Sequence, residues 1–330
     1  MPSFAHLAPG RRVSTPPATR HLLELIGTTP LLSLDTVSRP FPGVRLFAKA
    51  EWFNPGGSVK DRAAASIIAD AEASGRLHRG VSILDATSGN TGIAYAMIAA
   101  AKGYRATLCV PRNANPQVLG LLRAYGAEVV LTDPLEGSDG AIREACRLAS
   151  AHPSRYVYLD QYNNPANWHA HYRATGVEIW EQTAGAVTHF VAGLGTTGTF
   201  TGTSRRLKAF NPQIRVIAVQ PDAPFHGLEG LKHLDSAMVP GIYDPTLPDE
   251  TRFISTEAAY DAIQRLVVDE GLLVGPSSGA ALAASLELAQ SMASASQHSP
   301  ATMVMIFPDS GARHVVGGVL TPCNSRYPSR

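Results

Sequence analysis

One lysine of this chain stands where its amine could act as a nucleophile or a base. The segment Asn54–Arg62 contains a Pro and two Gly residues, which predict a tight turn leading into an Ala- and Ile-rich helix over Ser58–Ser74. We expect Ser58 to cap this helix, so that Lys60 falls in its first turn. The positive end of the helix dipole lowers the pKa of an ammonium group there, which favours the reactive neutral amine. The alternative is a surface lysine paired with Asp61.

Lysine is rare in this chain, so each of its positions is informative. Of the 28 Lys and Arg residues, only five are Lys. Unlike Arg, Lys can lose its proton and then react as an amine. Lys60 and Lys232 lie in segments that suggest chemistry. The other three, Lys49, Lys102 and Lys208, are expected to be ordinary surface cations.

A second loop combines small hydroxyl residues, glycines and an amide. Residues Ala86–Gly92 read Ala-Thr-Ser-Gly-Asn-Thr-Gly and join the predicted strand Ser82–Asp85 to the predicted helix Thr91–Lys102. Backbone N–H groups and hydroxyls at a helix N-terminus stabilise an anion, so this loop is a candidate site for a carboxylate. The alternative is a simple capping loop, for which one such residue would suffice.

A third loop, Gly193–Thr199, matches the pattern Gly-x-Gly-x-x-Gly of dinucleotide-binding proteins. A dinucleotide site also needs an acidic residue at the end of the next strand to hold the ribose. That strand ends at Gln220, and Asp222 already lies in a Pro-rich loop. Three Thr residues among the last four positions of the third loop instead favour a terminal phosphate, whose oxygens accept from hydroxyl and backbone donors together.

The combination of loops is more specific than any one of them. A fourth loop, Gly275–Ala280, also precedes an Ala-rich helix and would by itself indicate only a helix cap. All four lie at loop-to-helix junctions, and ligands of α/β proteins bind outside the carboxyl ends of the strands. A lysine able to form a Schiff base, together with a cup for a phosphate monoester, predicts pyridoxal phosphate as the cofactor.

The elements that must position these loops alternate along the chain. The predicted strands are Ser82–Asp85, Ala106–Pro111, Glu128–Thr132, Val157–Asp160, Thr188–Ala192, Val216–Gln220 and Thr302–Phe307. The predicted helices are Ser58–Ser74, Thr91–Lys102, Pro116–Tyr125, Asp139–Ser150, Asn167–Gln182, Thr199–Phe210, Thr256–Glu270 and Ser278–Met292. This alternation predicts an α/β protein with two lobes, each a mostly parallel twisted sheet flanked by helices.

The lobes are expected to divide the chain unevenly. We expect a loose tail over residues 1–20, a large cofactor-binding lobe over 21–52 and 164–330, and a small mobile substrate lobe over 53–163. The segment Gln161–Pro165 is expected to cross between the lobes. The Pro- and Gly-rich segment Pro221–Pro248 is too long for an ordinary connection, and such loops are often functional.

Composition limits the class of function. The 330 residues are 45% hydrophobic and 17% charged, which excludes a disordered chain. The net charge of +1 gives no general attraction to nucleic acid or anionic lipid, and no apolar run approaches the ~18 residues of a membrane span. Three unevenly spaced cysteines, Cys109, Cys146 and Cys323, indicate free thiols and no metal site. We therefore expect a cytoplasmic protein that acts on small molecules, without a nucleic-acid or membrane partner.

The order and spacing of the four loops resemble the cysteine synthase family, the O-acetylserine (or O-phosphoserine) sulfhydrylases. These are fold-type II pyridoxal-phosphate enzymes, similar in fold to the β subunit of tryptophan synthase. The resemblance extends from about Leu25 to Arg313 and includes Ile26–Leu31, similar to the family's characteristic start, and Gln161–Asn167, similar to its inter-lobe segment. The chain departs from the family at Ala312, where many relatives carry an acid, and in the segment that follows.

The resemblance implies a role for each candidate residue. Lys60 would form the internal aldimine and then remove the substrate's α-proton, Asn90 would hydrogen-bond the cofactor's ring oxygen, and Ser277 would face its pyridine nitrogen. The residues implied for the cofactor phosphate are Gly195, Thr196, Thr197, Gly198 and Thr199. Those implied for the substrate carboxylate are Thr87, Ser88, Thr91 and Gln161. The implied activity replaces the β-substituent of an activated serine with a sulfur nucleophile, through an α-aminoacrylate, to give L-cysteine.

The leaving group, acetate or phosphate, depends on the long loop. His226–Leu234 and Val239–Asp244 are similar to the loop of the branch that uses O-phosphoserine, in part of which an arginine contacts the substrate phosphate. Lys232 takes the place of that arginine as a point charge without its bidentate fork. We therefore expect O-phosphoserine as the substrate. The alternative is a solvated Lys–His pair on a mobile loop, which would leave O-acetylserine.

Other functions stay open on the sequence alone. An amine nucleophile in place of sulfur would give 2,3-diaminopropionate. A catalytically silent homologue would instead bind a partner such as the C-terminus of an acyltransferase, although intact Lys60, Asn90 and Ser277 argue against silence. The sulfur donor could be free sulfide, thiosulfate or the thiocarboxylate of a sulfur-carrier protein. A homodimer is expected.

Overall fold

The protein contains two β-sheets. The computed structural model describes residues 21–294 and 300–314. Within these ranges the strands, in chain order, are β1 (Leu31–Ser33), β2 (Val44–Ala50), β3 (Ser82–Ala86), β4 (Arg105–Pro111), β5 (Glu128–Thr132), β6 (Tyr156–Tyr158), β7 (His189–Gly193), β8 (Arg215–Pro221), β9 (Glu250–Ile254) and β10 (Ala301–Phe307). The larger sheet has the order β1-β2-β10-β7-β8-β9, and the smaller has the order β5-β4-β3-β6.

Helices cover both sheets. In chain order, those in the described ranges are α1 (Asp35–Ser38), α2 (Lys60–Ala73), α3 (Asn90–Lys102), α4 (Pro116–Ala124), α5 (Gly137–Ala151), α6 (Ala166–Ala170), α7 (Gly176–Gln182), α8 (Gly198–Phe210), α9 (Thr256–Glu270) and α10 (Pro276–Ala293). β1 runs antiparallel to β2, and every other pair of neighbouring strands is parallel. The predicted fold of two mostly parallel sheets flanked by helices is confirmed.

The central strand of the larger sheet explains why the sheet is rigid where the site lies. β10 pairs with β2 on one side and with β7 on the other, and each of its residues is buried. A strand buried on both faces must be apolar throughout, as the sequence Ala-Thr-Met-Val-Met-Ile-Phe nearly is. In the smaller sheet β3 has the same central place and is buried along its whole length. The loops after these two strands therefore start from fixed points.

Three strands and two details of the helices differ from the sequence prediction. β1, β2 and β9 were not predicted. The predicted helix Asn167–Gln182 is interrupted by a π-helical turn at His171–Thr175, which separates α6 from α7. Ser58 does not cap α2, because the N-cap position is held by Val59 and no side chain caps it.

The long connection predicted at Pro221–Pro248 is present. No helix or strand lies between the end of β8 and the start of β9, both of which are in the described part of the chain. The backbone is instead fixed by individual hydrogen bonds, among them Lys232 N to Leu194 O at 2.8 Å. None of the helices in the described ranges is long and apolar enough to cross a membrane.

The expectation that Lys49 is a surface cation is wrong. Lys49 belongs to β2, and its side chain is 0% exposed. The Lys49 Nζ donates to Thr29 O at 2.6 Å, to Glu178 Oε2 at 2.6 Å and to Gln182 Oε1 at 2.9 Å. A buried charge requires partners of this kind. The sequence around Lys49 does not reveal them, because they lie far away along the chain.

Glu178 connects this lysine to a second buried cation. Arg62 Nη1 donates to Glu178 Oε1 at 2.7 Å, and Arg62 Nε donates to Glu51 Oε2 at 2.6 Å. Although burial raises the pKa of the Glu178 carboxyl, the hydrogen bond from Arg62 and the charges of Arg62 and Lys49 lower it to about 2. The network joins β2, α2 and α7, and so fixes the helix that begins with Lys60.

Replacing Glu178 with Gln tests this network. The variant keeps the shape of the side chain but leaves Lys49 and part of Arg62 buried without a counter-charge. We expect a loss of about 3–5 kcal/mol in the free energy of unfolding, measured by urea denaturation. Glu144→Gln is the matched control, because Glu144 pairs with Arg147 on the surface and its loss should change stability little. Equal effects of the two substitutions would contradict the account.

Candidate active site

The predicted site residues converge on one cavity of about 440 Å³. Of the residues implied for cofactor and substrate, those that line it are Lys60, Thr87, Ser88, Asn90, Thr91, Gln161, Gly195, Thr196, Thr197, Thr199, Lys232 and Ser277. Gly198 is the exception and lies behind the wall at the start of α8. The cavity is bounded by the loops that follow β3, β7 and β10, so it lies at the carboxyl ends of both sheets, as the strand-end rule predicts.

Lys60 is the first residue of α2, and its side chain reaches the cavity wall. Its amine forms no hydrogen bond with any residue that the structure describes. Loss of hydration lowers the pKa of this amine, and the negative charge of Asp309 offsets part of that effect. The alternative of a pair with Asp61 is wrong, because the Asp61 carboxylate turns back and accepts from Gly56 N at 2.5 Å. Lys60 thus presents an amine of lowered pKa, without a salt bridge, at the cavity wall.

The loop after β7 has the shape of an anion cradle. A Cβ atom on Gly195 would lie 2.2 Å from Gly230 O, and one on Gly198 would lie 2.0 Å from Asn167 Oδ1, so both positions require glycine. Thr197 adopts a φ of +67°, and its buried hydroxyl has no hydrogen-bond partner in the described ranges. Because Thr197 also lines the cavity, its hydroxyl is available to a ligand bound there.

Two residues that the sequence analysis missed support this cradle from behind. His171, in the π-helical turn, is 1% exposed, and its Nε2 lies 3.3 Å from Thr199 Oγ1. Burial lowers the pKa of this imidazole well below its usual value, and the positive charges of Arg62 and Lys60 act in the same direction. Asn167 donates from Nδ2 to Thr196 Oγ1 at 3.2 Å. π-helical turns often occur at functional sites, but this one has no signature in the sequence.

In the candidate carboxylate loop, Ala86–Gly92, some of the polar groups already have hydrogen-bond partners within the protein. The Thr87 hydroxyl accepts from Gly89 N at 3.1 Å and from Gly92 N at 3.0 Å, so it holds the loop in shape. Thr91 donates to Gln161 Oε1 at 2.8 Å. Ser88 is exposed to the cavity. Of the predicted set, the exposed Ser88 is therefore the side chain best placed for an incoming anion.

Lys232 is buried in the cavity wall, which excludes the solvated Lys–His pair. Its side chain is 8% exposed and donates to Asp139 Oδ1 at 2.7 Å. Asp139 belongs to the first turn of α5, and it also accepts from Met238 N at 2.9 Å. Lys232 Nζ lies 5.0 Å from the centre of the Tyr162 ring. The cation thus faces the site while a carboxylate neutralises part of its charge.

The segment after β10 supplies two ionisable residues, Asp309 and His314, to which the sequence analysis gave no role. Asp309 is 4% exposed and accepts from Asn90 Nδ2 at 2.7 Å. His314 lies between Asp309 Oδ2 and Glu229 Oε2, at 3.3 Å from each. Although burial lowers the pKa of this imidazole, the hydrogen bonds to Asp309 and Glu229 raise it to about 9. The position of Asp309, directly after a central strand, was the available signal.

The fourth loop contributes Ser277, which is 6% exposed and lies in the first turn of α10. This helix starts at Pro276, a residue suited to the first helical position. Its N-terminus faces the cavity that Lys60 and the anion cradle share. In the described part of the chain, no group of three or more His, Cys, Asp or Glu residues is arranged to hold a metal ion.

Comparisons with known proteins agree with this geometry. Residues 22–309 match the family described as pyridoxal-phosphate dependent enzyme. The cysteine synthase of Aquifex aeolicus is 50% identical over 300 residues, covering 90% of this chain and 91% of that protein. Cysteine synthase B of Escherichia coli is 41% identical over 298 residues, covering 90% and 95%. The crystal structure of the cysteine synthase of Entamoeba histolytica has a TM-score of 0.85 at 34% identity and covers 94% of each chain.

The chain is therefore a pyridoxal-phosphate dependent enzyme of fold type II. Within that class it belongs to the cysteine synthase family. The residues present fit the cofactor, because the cavity brings an amine, an unpartnered buried hydroxyl and a glycine-lined anion cradle together. An aldehyde and a phosphate monoester are the groups that such a donor set would take.

Proposed function

We propose that this enzyme is a cysteine synthase that replaces the β-substituent of an activated serine with a sulfur nucleophile. The observation that carries the proposal is the Lys60 amine, which has no hydrogen bond to the described residues and faces the same cavity as the anion cradle at Gly195–Thr199. An amine of lowered pKa next to a phosphate site is what a pyridoxal-phosphate enzyme requires.

Lys60 first holds the cofactor and then acts as the base. Bound pyridoxal phosphate supplies an electron sink for the bond at the substrate's α-carbon. With substrate bound, Lys60 Nζ would accept the α-proton, and the β-substituent would leave with its bonding electrons. Low hydration at the cavity wall lowers the pKa of Nζ, which favours the neutral amine that can accept that proton.

The remaining residues bind and orient. Gly195–Thr199 would hold the cofactor phosphate, with Thr197 supplying the hydroxyl that has no other described partner. Asn90 would donate to the ring oxygen. Ser277 would face the ring nitrogen as a neutral hydroxyl, and this favours loss of the β-substituent over reactions that need a protonated ring. Ser88 would hold the substrate carboxylate, within a loop shaped by Thr87, Thr91 and Gln161.

The leaving group is proposed to be phosphate, with Lys232 as its contact. Support comes from the burial of Lys232 in the cavity wall, since one of its three N–H donors is used by Asp139 and the others remain. Because Asp139 neutralises part of the charge, an uncharged ester such as O-acetylserine is also compatible with the site. We propose sulfide as the second substrate. We also propose two protein partners, a sulfur-carrier protein with a C-terminal thiocarboxylate and the C-terminus of an acyltransferase.

The lobe division belongs to the proposal as well. The smaller sheet and its helices fall within residues 53–163, which we propose to be the mobile substrate lobe, and the rest of the described chain is the cofactor lobe. The Lys232–Asp139 contact joins the two. We further propose a homodimer in the cytoplasm. The free thiols of Cys109 and Cys146 are compatible with that compartment.

The proposed activity is tested by mixing the enzyme with sulfide and either serine ester and measuring cysteine. We expect Lys60→Ala to lower kcat by about 10³-fold or more, because the base and the cofactor's attachment are both lost. Lys208→Ala is the matched control, since Lys208 pairs with Asp249 at the surface. Formation of 2,3-diaminopropionate from ammonia in preference to cysteine from sulfide would contradict the proposal, as would a fully active Lys60→Ala variant.

The proposed leaving group has a test of its own. Lys232→Ala should lower the ratio of kcat/KM for O-phosphoserine to that for O-acetylserine by about 10-fold, because a hydrogen bond to a charged group is lost. Asp139→Asn should raise this ratio, because the carboxylate that competes for Lys232 is removed. Steady-state kinetics with both esters measure the ratio. If it stays constant in both variants, Lys232 does not contact the phosphate.

A further inference from the structure

Arg313 joins two loops of the site. Its Nη2 donates to Gly56 O at 2.6 Å, in the turn that precedes Lys60. Its Nη1 donates to Asn90 Oδ1 at 2.5 Å. The backbone of Arg313 is held in turn, because Asn115 Nδ2 donates to its carbonyl at 2.9 Å. One guanidinium group thus contacts both the lysine turn and the loop that carries Asn90.

We propose that Arg313 is a positioning residue that fixes the amide orientation of Asn90, and so determines how tightly the site binds pyridoxal phosphate. This inference rests on the proposed role of Asn90 as a donor to the cofactor's ring oxygen. The function proposed above gives Arg313 no role.

The two ends of the Asn90 amide have opposite hydrogen-bonding roles. The Asn side chain carries an acceptor, Oδ1, and a two-hydrogen donor, Nδ2, which have nearly the same shape. A guanidinium group has only donors, so Arg313 can face Oδ1 and not Nδ2. Asp309, an acceptor when ionised, takes one hydrogen of Nδ2 at 2.7 Å. The amide of Asn90 therefore lies between a donor and an acceptor that allow one orientation.

That orientation leaves one hydrogen of Nδ2 for the ring oxygen. With Arg313 absent, Asp309 alone would oppose a rotation that presents Oδ1 to the ring oxygen, an acceptor facing an acceptor. The two contacts of Arg313 also require a side chain with two donor nitrogens in a fixed geometry, because Gly56 O and Asn90 Oδ1 accept from different nitrogens of the same guanidinium. A lysine has one nitrogen on a flexible stem and cannot reproduce this arrangement.

The turn fits closely around this guanidinium. A Cβ atom on Gly57 would lie 2.5 Å from Arg313 Nη2, and Gly57 has a φ of +80°. Glycine is needed there for both the backbone conformation and the close approach. Asp61 accepts from the N–H of Gly56, whose carbonyl Arg313 binds, so this turn is fixed from both sides. The guanidinium of Arg313 is therefore held in one position by the turn around it.

A double-mutant cycle on cofactor affinity tests the proposal. The wild type, Arg313→Ala, Asn90→Ala and the double variant are stripped of cofactor and titrated with pyridoxal phosphate, and binding is followed by visible absorbance. We expect Arg313→Ala to weaken binding by about 10-fold, as for loss of a charged hydrogen bond. In the Asn90→Ala background the same substitution should have almost no effect, because Arg313 acts through Asn90. Arg313→Lys should recover only part of the affinity.

Two results would overturn the proposal. One is an Arg313→Ala variant that binds the cofactor as tightly as the wild type. The other is an equal loss in both backgrounds, which would mean that Arg313 acts independently of Asn90. If Arg313→Ala does not fold, as judged by its urea unfolding midpoint, the same criteria apply to a cycle made with Arg313→Lys. Because the cycle measures binding, a wild type that binds cofactor but forms no cysteine would contradict the proposed function and leave this inference standing.

Discussion

The structure depends on keeping one amine poorly hydrated and without a salt bridge at the edge of a cavity. The chain contains two lysines at low exposure near α2, and they show what this requires. Lys49 gives its donors to Thr29, Glu178 and Gln182, and serves as a fixed charge. Lys60 has no such acceptors among the described residues, and Asp309 acts on it only through its charge. Loss of hydration lowers the pKa of both amines, but only the second is free to react.

The parallel sheets make this arrangement possible. Their central strands, β3 and β10, are buried along their whole length and end at the same cavity. Helices α3 and α8 begin shortly after β3 and β7 end, so backbone N–H groups and helix dipoles face the cavity. The proposed binding of cofactor and substrate anions would thus rest largely on neutral donors. Lys60 stands apart from other charged side chains of the cavity wall, because Lys232, Asp309, Arg313 and His314 each have a carboxylate, an amide or a carbonyl as a partner.

The sequence predicted the four loops, the α/β class and the cavity's main residues, because each loop lies between an apolar strand and a helix. It did not predict β2 or β9, since Arg45 and Lys49 interrupt the apolar pattern of the first and the second is a polar edge strand. The supports of the site were also missed. His171 reaches Thr199 through a π-helical turn, and Arg313 reaches Gly56 across 257 positions of the chain. Such contacts exist only in the folded chain, and their residue types have no local signature.

The most direct test of the account is to identify the lysine that binds the cofactor. The enzyme loaded with pyridoxal phosphate is reduced with borohydride, digested and analysed by peptide mass spectrometry. Of the five lysines in the chain, the account predicts that Lys60 alone carries the reduced cofactor. Modification of Lys232 or Lys49 in its place, or a fully occupied enzyme with Lys60 unmodified, would contradict the central claim.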